Sequence, residues 1–244
     1  MNQTATADLL SIEGDSNARS EIGLILPTYC EASNIEKLIS DIESLGLDVR
    51  LLVIDDSSPD GTANIVRELQ RKFQNVLLLV RSSKYGLGTA ITDGFRAFLS
   101  MKNPPAYVVT MDADYSHSPT DIPKAISAAK QARGLAIGSR YCKGGGVVKW
   151  SMPRRITSRV ANILASLLVR AKIHDYTSGL RCYSTKLVNE MVSDLHSQTY
   201  EIQIETIRQA RKRAFDITEF PMTFLNRKNG KSKLSANEIK ELTL

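Results

Sequence analysis

Short apolar runs alternate with stretches of helical spacing through the first 140 residues. Residues 22–26 form such a run, stopped by Pro27, and residues 32–45 follow with Ile35, Leu38, Ile39 and Ile42 on one helical face. A second run at 51–54 halts at Asp55-Asp56-Ser57-Ser58-Pro59-Asp60-Gly61, whose turn formers and N-caps introduce a helix over 62–73. Residues 76–80 read as a third strand, 88–99 as a third helix, and 106–111 as a fourth strand ending at Asp112-Ala113-Asp114. Residues 136–140 give another strand and its exit. This alternation predicts an α/β fold, a mostly parallel central sheet with helices on both faces. Ligands of such sheets gather at the carboxyl ends of the strands. Three polar clusters follow strands: Pro27-Thr28-Tyr29, Asp55-Asp56-Ser57 and Asp112-Ala113-Asp114.

Past residue 140 the pattern changes. Gly144-Gly145-Gly146 reads as a flexible loop, and Ile156, Val160, Ile163, Leu164, Leu167 and Leu168 form an apolar stripe at helical spacing. The favoured reading packs that helix on the sheet. The other reading lays it in a membrane interface, with Arg155, Arg159, Arg170 and Lys172 meeting anionic headgroups. A helix is expected over 200–213 and a late strand over 217–224. Residues 1–20 read as a disordered leader and 21–244 as one domain, with a nucleotide-sugar half to about residue 140 and an acceptor half after it.

Composition narrows the function classes. A chain of 244 residues with 42% hydrophobic and 24% charged positions suits one soluble domain. No apolar stretch reaches the roughly 18 residues a membrane-spanning helix needs, and the start lacks the features of a signal peptide. Cys30, Cys142 and Cys182 form neither a zinc spacing nor a disulfide framework, which makes a reducing cytoplasm the default. The net charge of +6 is concentrated in the second half, including Arg154, Arg155 and Arg159. Basic and aromatic residues do not interleave as in nucleic-acid modules, so the expected partner is a substrate phosphate or an anionic membrane surface and not nucleic acid.

Asp112-Ala113-Asp114 carries the most chemistry. Two carboxylates one residue apart at a strand end can hold a hard divalent ion together with a diphosphate, giving Lewis-acid assistance to a departing nucleotide. The plainer reading is that both aspartates cap the turn before Pro119. Asp55-Asp56 can accept hydrogen bonds from ribose or base, or can serve only as turn and cap. Lys84-Tyr85-Gly86-Leu87-Gly88 supplies a cation and two glycines that can admit a phosphate at a helix start, without the full P-loop pattern. His117, His174 and His196 have no metal spacing and read as structural or exposed. No nucleophile elbow, hydrolase triad or dinucleotide glycine fingerprint is present.

Taken in order, Leu26-Pro27-Thr28-Tyr29-Cys30-Glu31, Val53-Ile54-Asp55-Asp56-Ser57-Ser58-Pro59-Asp60-Gly61-Thr62, Gly86-Leu87-Gly88-Thr89-Ala90 and Met111-Asp112-Ala113-Asp114-Tyr115-Ser116-His117 resemble family 2 glycosyltransferases. Gly138-Ser139-Arg140-Tyr141, Arg154-Arg155-Ile156, Ser158-Arg159-Val160-Ala161-Asn162, and Arg227 followed by Gly230-Lys231-Ser232-Lys233-Leu234 resemble the dolichyl-phosphate mannose synthase group within it. The resemblance runs from about Ile22 to Leu244 and implies a nucleotide-diphospho-sugar transferase fold.

By position, the resemblance implies that Pro27, Tyr29, Glu31, Ile54 and Asp56 line a nucleotide pocket. Asp112 and Asp114 would hold Mg²⁺ or Mn²⁺ and the donor diphosphate beside Ala113, with Ser116 at a further metal-side position often filled by glutamine. Arg140, Arg227 and Lys233 would contact phosphates of donor or acceptor, and Arg154 would sit near the lipid phosphate with Arg140. Cys30 stands where relatives usually carry asparagine, and Ser57 replaces a common glycine. The activity implied is inverting transfer of mannose from GDP-mannose to dolichyl or polyprenyl phosphate. The alternatives are a polyprenyl-phosphate glucosyltransferase using UDP-glucose, a family member with a soluble acceptor, and a non-catalytic nucleotide-sugar-binding subunit. Many prokaryotic relatives continue into transmembrane helices; ending at Leu244 suits a catalytic subunit without them, or a chain cut before them. The expected location is the cytoplasmic face of a membrane, endoplasmic reticulum or plasma membrane, with small anchoring subunits as candidate partners.

Overall fold

The computed structural model describes residues 11–226. An eight-stranded sheet forms the centre. Its strands are β1 (Ile12–Glu13), β2 (Ile22–Thr28), β3 (Val49–Asp55), β4 (Val76–Val80), β5 (Tyr107–Thr110), β6 (Leu135–Ser139), β8 (Arg181–Ser184) and β9 (Ile217–Pro221), and β7 (Gly146–Val148) lies outside it. The spatial order is β1-β4-β3-β2-β5-β8-β6-β9. The pairs β3–β4, β2–β3, β2–β5 and β6–β9 are parallel, whereas β1 and β8 run antiparallel to their neighbours. The helices are α1 (Ala32–Glu43), α2 (Thr62–Lys72), α3 (Leu87–Ser100), α4 (Ile122–Ala132), α5 (Met152–Val169), α6 (Thr185–Met191) and α7 (Ile202–Lys212).

Both faces of the sheet are covered, as buried strands on both sides require. Ile35, Leu38, Ile39, Val66, Leu69, Ile122 and Ala125 bring α1, α2 and α4 onto one face. Phe95, Phe98, Ala165, Val169, Leu187 and Ile207 bring α3, α5, α6 and α7 onto the other. The central parallel strands lack alternation because burial covers nearly every position, all seven of β3 and six of seven of β2.

Four expectations change. From residue 11 the leader is placed, not disordered: Ile12–Glu13 pairs with Leu78–Leu79, and Glu13 takes a two-pronged hydrogen bond from Arg67 at 2.8 Å. The late strand divides at Met222, where β10 (Thr223–Leu225) leaves the main sheet to pair in parallel with β7. That pairing gives Gly146, expected in a flexible loop, a strand partner. The stripe on α5 is not packed on the sheet. Ile156, Val160, Ile163, Leu164, Leu167 and Leu168 remain 42% to 69% exposed, and the helix docks through Asn162, Ala165 and Val169. Asn162 secures it, its Oδ1 accepting from the Tyr176 amide at 2.6 Å.

Candidate active site

The carboxyl ends of β2, β3 and β5 open into one cleft. Pro27, Tyr29, Glu31, Asp56, Asp112, Ala113 and Asp114 all line it, joined by Thr28, Lys84, Gly86, Thr199 and Tyr200. Ile54 does not; its side chain is fully buried in the core beneath α3. The convergence of three strand exits on one cleft is what the topology of an open parallel sheet dictates.

Each of these exits turns through a residue in the left-handed region: Cys30 at φ 57°, Ser57 at φ 51° and Tyr115 at φ 61°. Asparagine and glycine are the residues that tolerate this conformation. The two departures noted in the sequence therefore fall at positions where backbone geometry matters. Ser57 compensates through its hydroxyl, which donates to the Arg81 carbonyl. The acidic loop after β3 divides its labour. Asp55 is a staple, accepting from Thr28 Oγ1 at 2.9 Å and from Ser58 N at 2.9 Å. Asp60 accepts from the Ala32 amide at 3.0 Å and from Thr62 Oγ1 at 2.6 Å. Only Asp56 of the three faces the cleft.

Asp56 meets the Arg81 guanidinium at 2.5 Å and accepts longer bonds from the Tyr85 and Gly86 amides, at 3.2 and 3.4 Å. Burial pushes its carboxyl above the ordinary range, and the Arg81 charge offsets this only in part. Arg81 is shared with Thr89 Oγ1, Asp93 and the Gly86 carbonyl, so one cation ties the start of α3 to the end of β3. Lys84 lies 4.8 Å from the centre of the Tyr29 ring at the cleft wall. Gly86 and Gly88 also have a packing task. A Cβ on Gly86 would stand 2.5 Å from the Gln198 carbonyl oxygen, and one on Gly88 2.2 Å from that of Ser197. The glycines let this later segment approach closely, which carries Thr199 and Tyr200 into the cleft.

Asp112 and Asp114 border the same space, Asp112 with 32% of its side chain exposed. The Ser116 amide donates to Asp114 Oδ1 at 2.9 Å, folding the turn around that carboxylate. Ser116 itself is buried, and its Oγ has no hydrogen-bond partner among the described residues. Behind the pair lies His117, fully buried, which sequence reading left without a role. Its Nδ1 accepts from the Asp112 amide at 3.4 Å and sits 3.7 Å from Asp112 Oδ2. Burial holds the imidazole below its usual range against the pull of Asp112 and Asp114, so it is neutral at neutral pH. Among the described residues no three His, Cys, Asp or Glu side chains gather to hold an ion. The donors present are hard oxygens with no thiolate beside them, a set that fits Mg²⁺ or Mn²⁺ if diphosphate oxygens and water complete the shell.

In the second half of the chain Arg140 and Arg154 occupy two different settings. Arg140 is buried, and Asp175 takes its Nε at 2.7 Å, its Nη2 at 2.6 Å and its amide at 2.9 Å. The expected phosphate contact is thus not what holds Arg140; a carboxylate does. Burial works to raise Asp175, but the Arg140 charge and these hydrogen bonds outweigh it and hold the carboxyl below its usual range. Arg154 is exposed and stacks over Trp150 at 4.2 Å, its Nη1 donating to Asn226 at 2.9 Å. Arg140 and Arg154 share the rings of Trp150 and Phe224, and Phe224 stands edge-on to His117 at 5.2 Å. A continuous path of contacts therefore joins the Asp112 carboxylate to Arg154. Arg227 and Lys233 lie outside the described residues.

A family model described as glycosyl transferase family 2 matches residues 24–192. The chain is 36% identical over 220 residues to a polyprenol monophosphomannose synthase of Mycolicibacterium smegmatis, covering 89% of this chain and 82% of that protein. It is 31% identical over 218 residues to an undecaprenyl-phosphate mannosyltransferase of Micrococcus luteus, covering 89% and 88%. Among solved structures, glucosyl-3-phosphoglycerate synthase from Mycobacterium tuberculosis, in complex with Mn²⁺, UDP and glucosyl-3-phosphoglycerate, superposes with a TM-score of 0.65 at 19% identity, over 93% of this chain and 77% of the other. A mannosyltransferase from Pyrobaculum calidifontis, in complex with GDP-Man and Mn²⁺, gives 0.58 at 16% identity, over 90% and 60%. At such identities the structural likeness speaks for the fold.

Proposed function

The chain belongs to glycosyl transferase family 2, and from that premise we propose that it moves mannose from GDP-mannose to the phosphate of a polyprenyl lipid. One observation carries the reading: contacts through the buried His117 and Phe224 link a carboxylate-lined cleft at the strand ends to a cluster of guanidinium and aromatic groups. The first part suits a nucleotide diphosphate and the second an anionic lipid head. The names of the two relatives point to the same pairing of sugar and acceptor.

The nucleoside lies over Pro27 and Tyr29, with Asp56 and Glu31 accepting from its hydroxyl and base N–H groups. Asp112 and Asp114, with Ser116 nearby, would hold a divalent ion, Mg²⁺ or Mn²⁺, which would supply charge neutralisation to the diphosphate. His117 accepts the Asp112 amide and so fixes that strand exit. The acceptor phosphate is already ionised near neutral pH, so no strong base is required. One of its oxygens bonds to the anomeric carbon as the bond to the diphosphate oxygen breaks, GDP leaves, and the configuration inverts. Arg154 offers the acceptor a planar fork suited to phosphate, while Arg140, locked to Asp175, supports the Trp150 and Phe224 rings on which Arg154 stacks. Positioning and charge stabilisation then supply the catalysis. The work takes place at the cytoplasmic face of a membrane, where small anchoring subunits are candidate partners.

Incubation with radiolabelled GDP-mannose or UDP-glucose, Mn²⁺ or Mg²⁺, and either undecaprenyl phosphate or 3-phosphoglycerate tests the proposal. Label from GDP-mannose should enter the organic phase with the lipid acceptor. Transfer to 3-phosphoglycerate with no lipid product, or lipid labelling from UDP-glucose alone, overturns it.

A further inference from the structure

Glu219 is out of place on its strand. It lies in β9, at the edge of the sheet, two residues from Ile217 and so on the face where Ile217 packs against the core. Its side chain is only 8% exposed. A carboxylate at such depth needs donors that reach it. Oε1 accepts from the Asp175 amide at 2.9 Å, and Oε2 accepts from the His174 amide at 2.9 Å and lies 2.7 Å from His174 Nδ1. The His174 side chain stands largely in solvent, where an ion pair contributes little. The two backbone donors are therefore the contacts that matter.

Those amides belong to residues 170–180, which join α5 to β8 without helix or strand and so depend on side chains to fix their backbone. Asp175 binds Arg140 through both its side chain and its amide, and Thr177 Oγ1 accepts from Arg140 Nη2 at 2.6 Å. Arg140 in turn lies over the Trp150 and Phe224 rings on which Arg154 stacks. Asn162 takes the Tyr176 amide in the middle of the segment. Its far end has another anchor. The Gly179 carbonyl accepts from Thr110 Oγ1 at 3.0 Å, and a Cβ on Gly179 would stand 3.0 Å from Asp112 Oδ1. One segment thus meets the arginine and aromatic cluster near its start and the Asp112 carboxylate at its end, and each contact is secured separately.

We infer that Glu219 is a positioning residue for the acceptor phosphate: by holding the His174 and Asp175 amides it sets the Asp175 carboxylate, and through it the Arg140 guanidinium and the rings beneath Arg154. Its two oxygens meet two separate N–H groups, so only a group that accepts at both positions can serve. A carboxamide of the same size leaves one of those amides facing an NH₂ group. The effect on the acceptor rests on the proposed lipid-phosphate reading; control of the ring cluster does not.

Trp150 is the chain's single tryptophan, so its fluorescence reports on the cluster directly. In Glu219→Gln the buried Trp150 ring should open to acrylamide, with a quenching constant well above that of the wild type. With GDP-mannose, Mn²⁺ and undecaprenyl phosphate, the same variant should raise the acceptor KM several-fold. Its GDP-mannose affinity by calorimetry should stay as it was, because Thr110 and β8 keep the Gly179 end in place. Glu219→Asp keeps the charge but withdraws the oxygens by one methylene; it should behave alike, and it gives the same reading should the glutamine variant misfold. His174→Ala preserves both backbone bonds and should match the wild type in every measurement. Unchanged Trp150 quenching in the Glu219 variants overturns the inference. So does an equal rise in donor and acceptor KM, or a loss in His174→Ala as large as in Glu219→Gln. Should the wild type transfer nothing to the lipid while the Glu219 variants still expose Trp150, control of the cluster stands and the proposed function falls.

Discussion

Two buried aspartate–arginine pairs invite comparison, Asp56 with Arg81 beyond the end of β3 and Asp175 with Arg140 beyond the end of β6, with closest contacts at 2.5 and 2.6 Å. Their carboxyls nevertheless move in opposite directions, Asp56 up and Asp175 down. The difference lies in how completely each is satisfied. Asp175 receives two guanidinium nitrogens and the Arg140 and Thr177 amides, so its hydrogen bonds and partner outweigh the cost of burial. Asp56 also meets two guanidinium nitrogens, but both at the same oxygen, its arginine is shared with Asp93, Thr89 and a carbonyl, and its amide donors sit at 3.2 and 3.4 Å. A closed pair belongs to the frame. An incompletely satisfied carboxylate facing a cleft gains by accepting hydrogen bonds from a ligand.

The comparison breaks most visibly at Asp175. Asp175→Ala leaves a buried guanidinium without its partner and should cost about 3–5 kcal/mol in chemical denaturation; a loss below about 1 kcal/mol would show that the pair is not part of the frame. Its folded pKa lies below the unfolded value of about 3.9, so its contribution is complete above about pH 4 and drains away as pH falls through the folded value. Asp56, shifted upward, has the opposite slope, its ionised form lowering stability as pH rises through the folded value. Urea titrations across the acid range should therefore show Asp175→Asn and Asp56→Asn changing the pH dependence in opposite senses.

Smaller effects sharpen the same contrast. Asp56→Asn should weaken nucleotide binding about tenfold, or ~1.4 kcal/mol, by calorimetry; unaltered affinity would assign Asp56 to the frame after all. Arg154→Ala should raise the acceptor KM several-fold, roughly 1 kcal/mol, and leave the donor KM as it was. Equal rises in both would erase the division between donor and acceptor sides. Smallest is Cys30→Asn. Asparagine tolerates the left-handed conformation at φ 57°, and the variant should gain up to about 1 kcal/mol in unfolding free energy. Decreased stability would mean that the thiol contributes more than the strain removes.

These contrasts also mark where the sequence was legible. The parallel strands of the first half announce themselves as uninterrupted apolar runs, because burial on both faces removes the alternation. β8 does not, since it opens with Arg181, a fully buried arginine satisfied by the Tyr176, Ser178 and Gln203 carbonyls and Thr206 Oγ1. No local rule supplies the two acceptors on α7, 22 and 25 residues away. That Asp112 and Asp114 border a cleft was readable from their place at a strand end, and that Pro27, Tyr29, Glu31 and Asp56 join them there from family resemblance. Arg81 and Asp175 were not, because each acts through a partner 25 or 35 residues away. The packing role of the glycines at 86 and 88 was not legible, since their neighbour is a backbone more than a hundred residues further along. The stripe on α5 carried the right period, and only packing could decide which face the domain covers.

The central claim is that Asp112 and Asp114 together make the cleft competent for sugar transfer. Single-turnover transfer from GDP-mannose to a polyprenyl phosphate, with saturating Mn²⁺, compared between the wild type and Asp114→Asn, tests it most directly. The account predicts a rate reduced by roughly a thousandfold in a variant that unfolds at the same denaturant concentration as the wild type. A variant retaining most of the wild-type rate would contradict it.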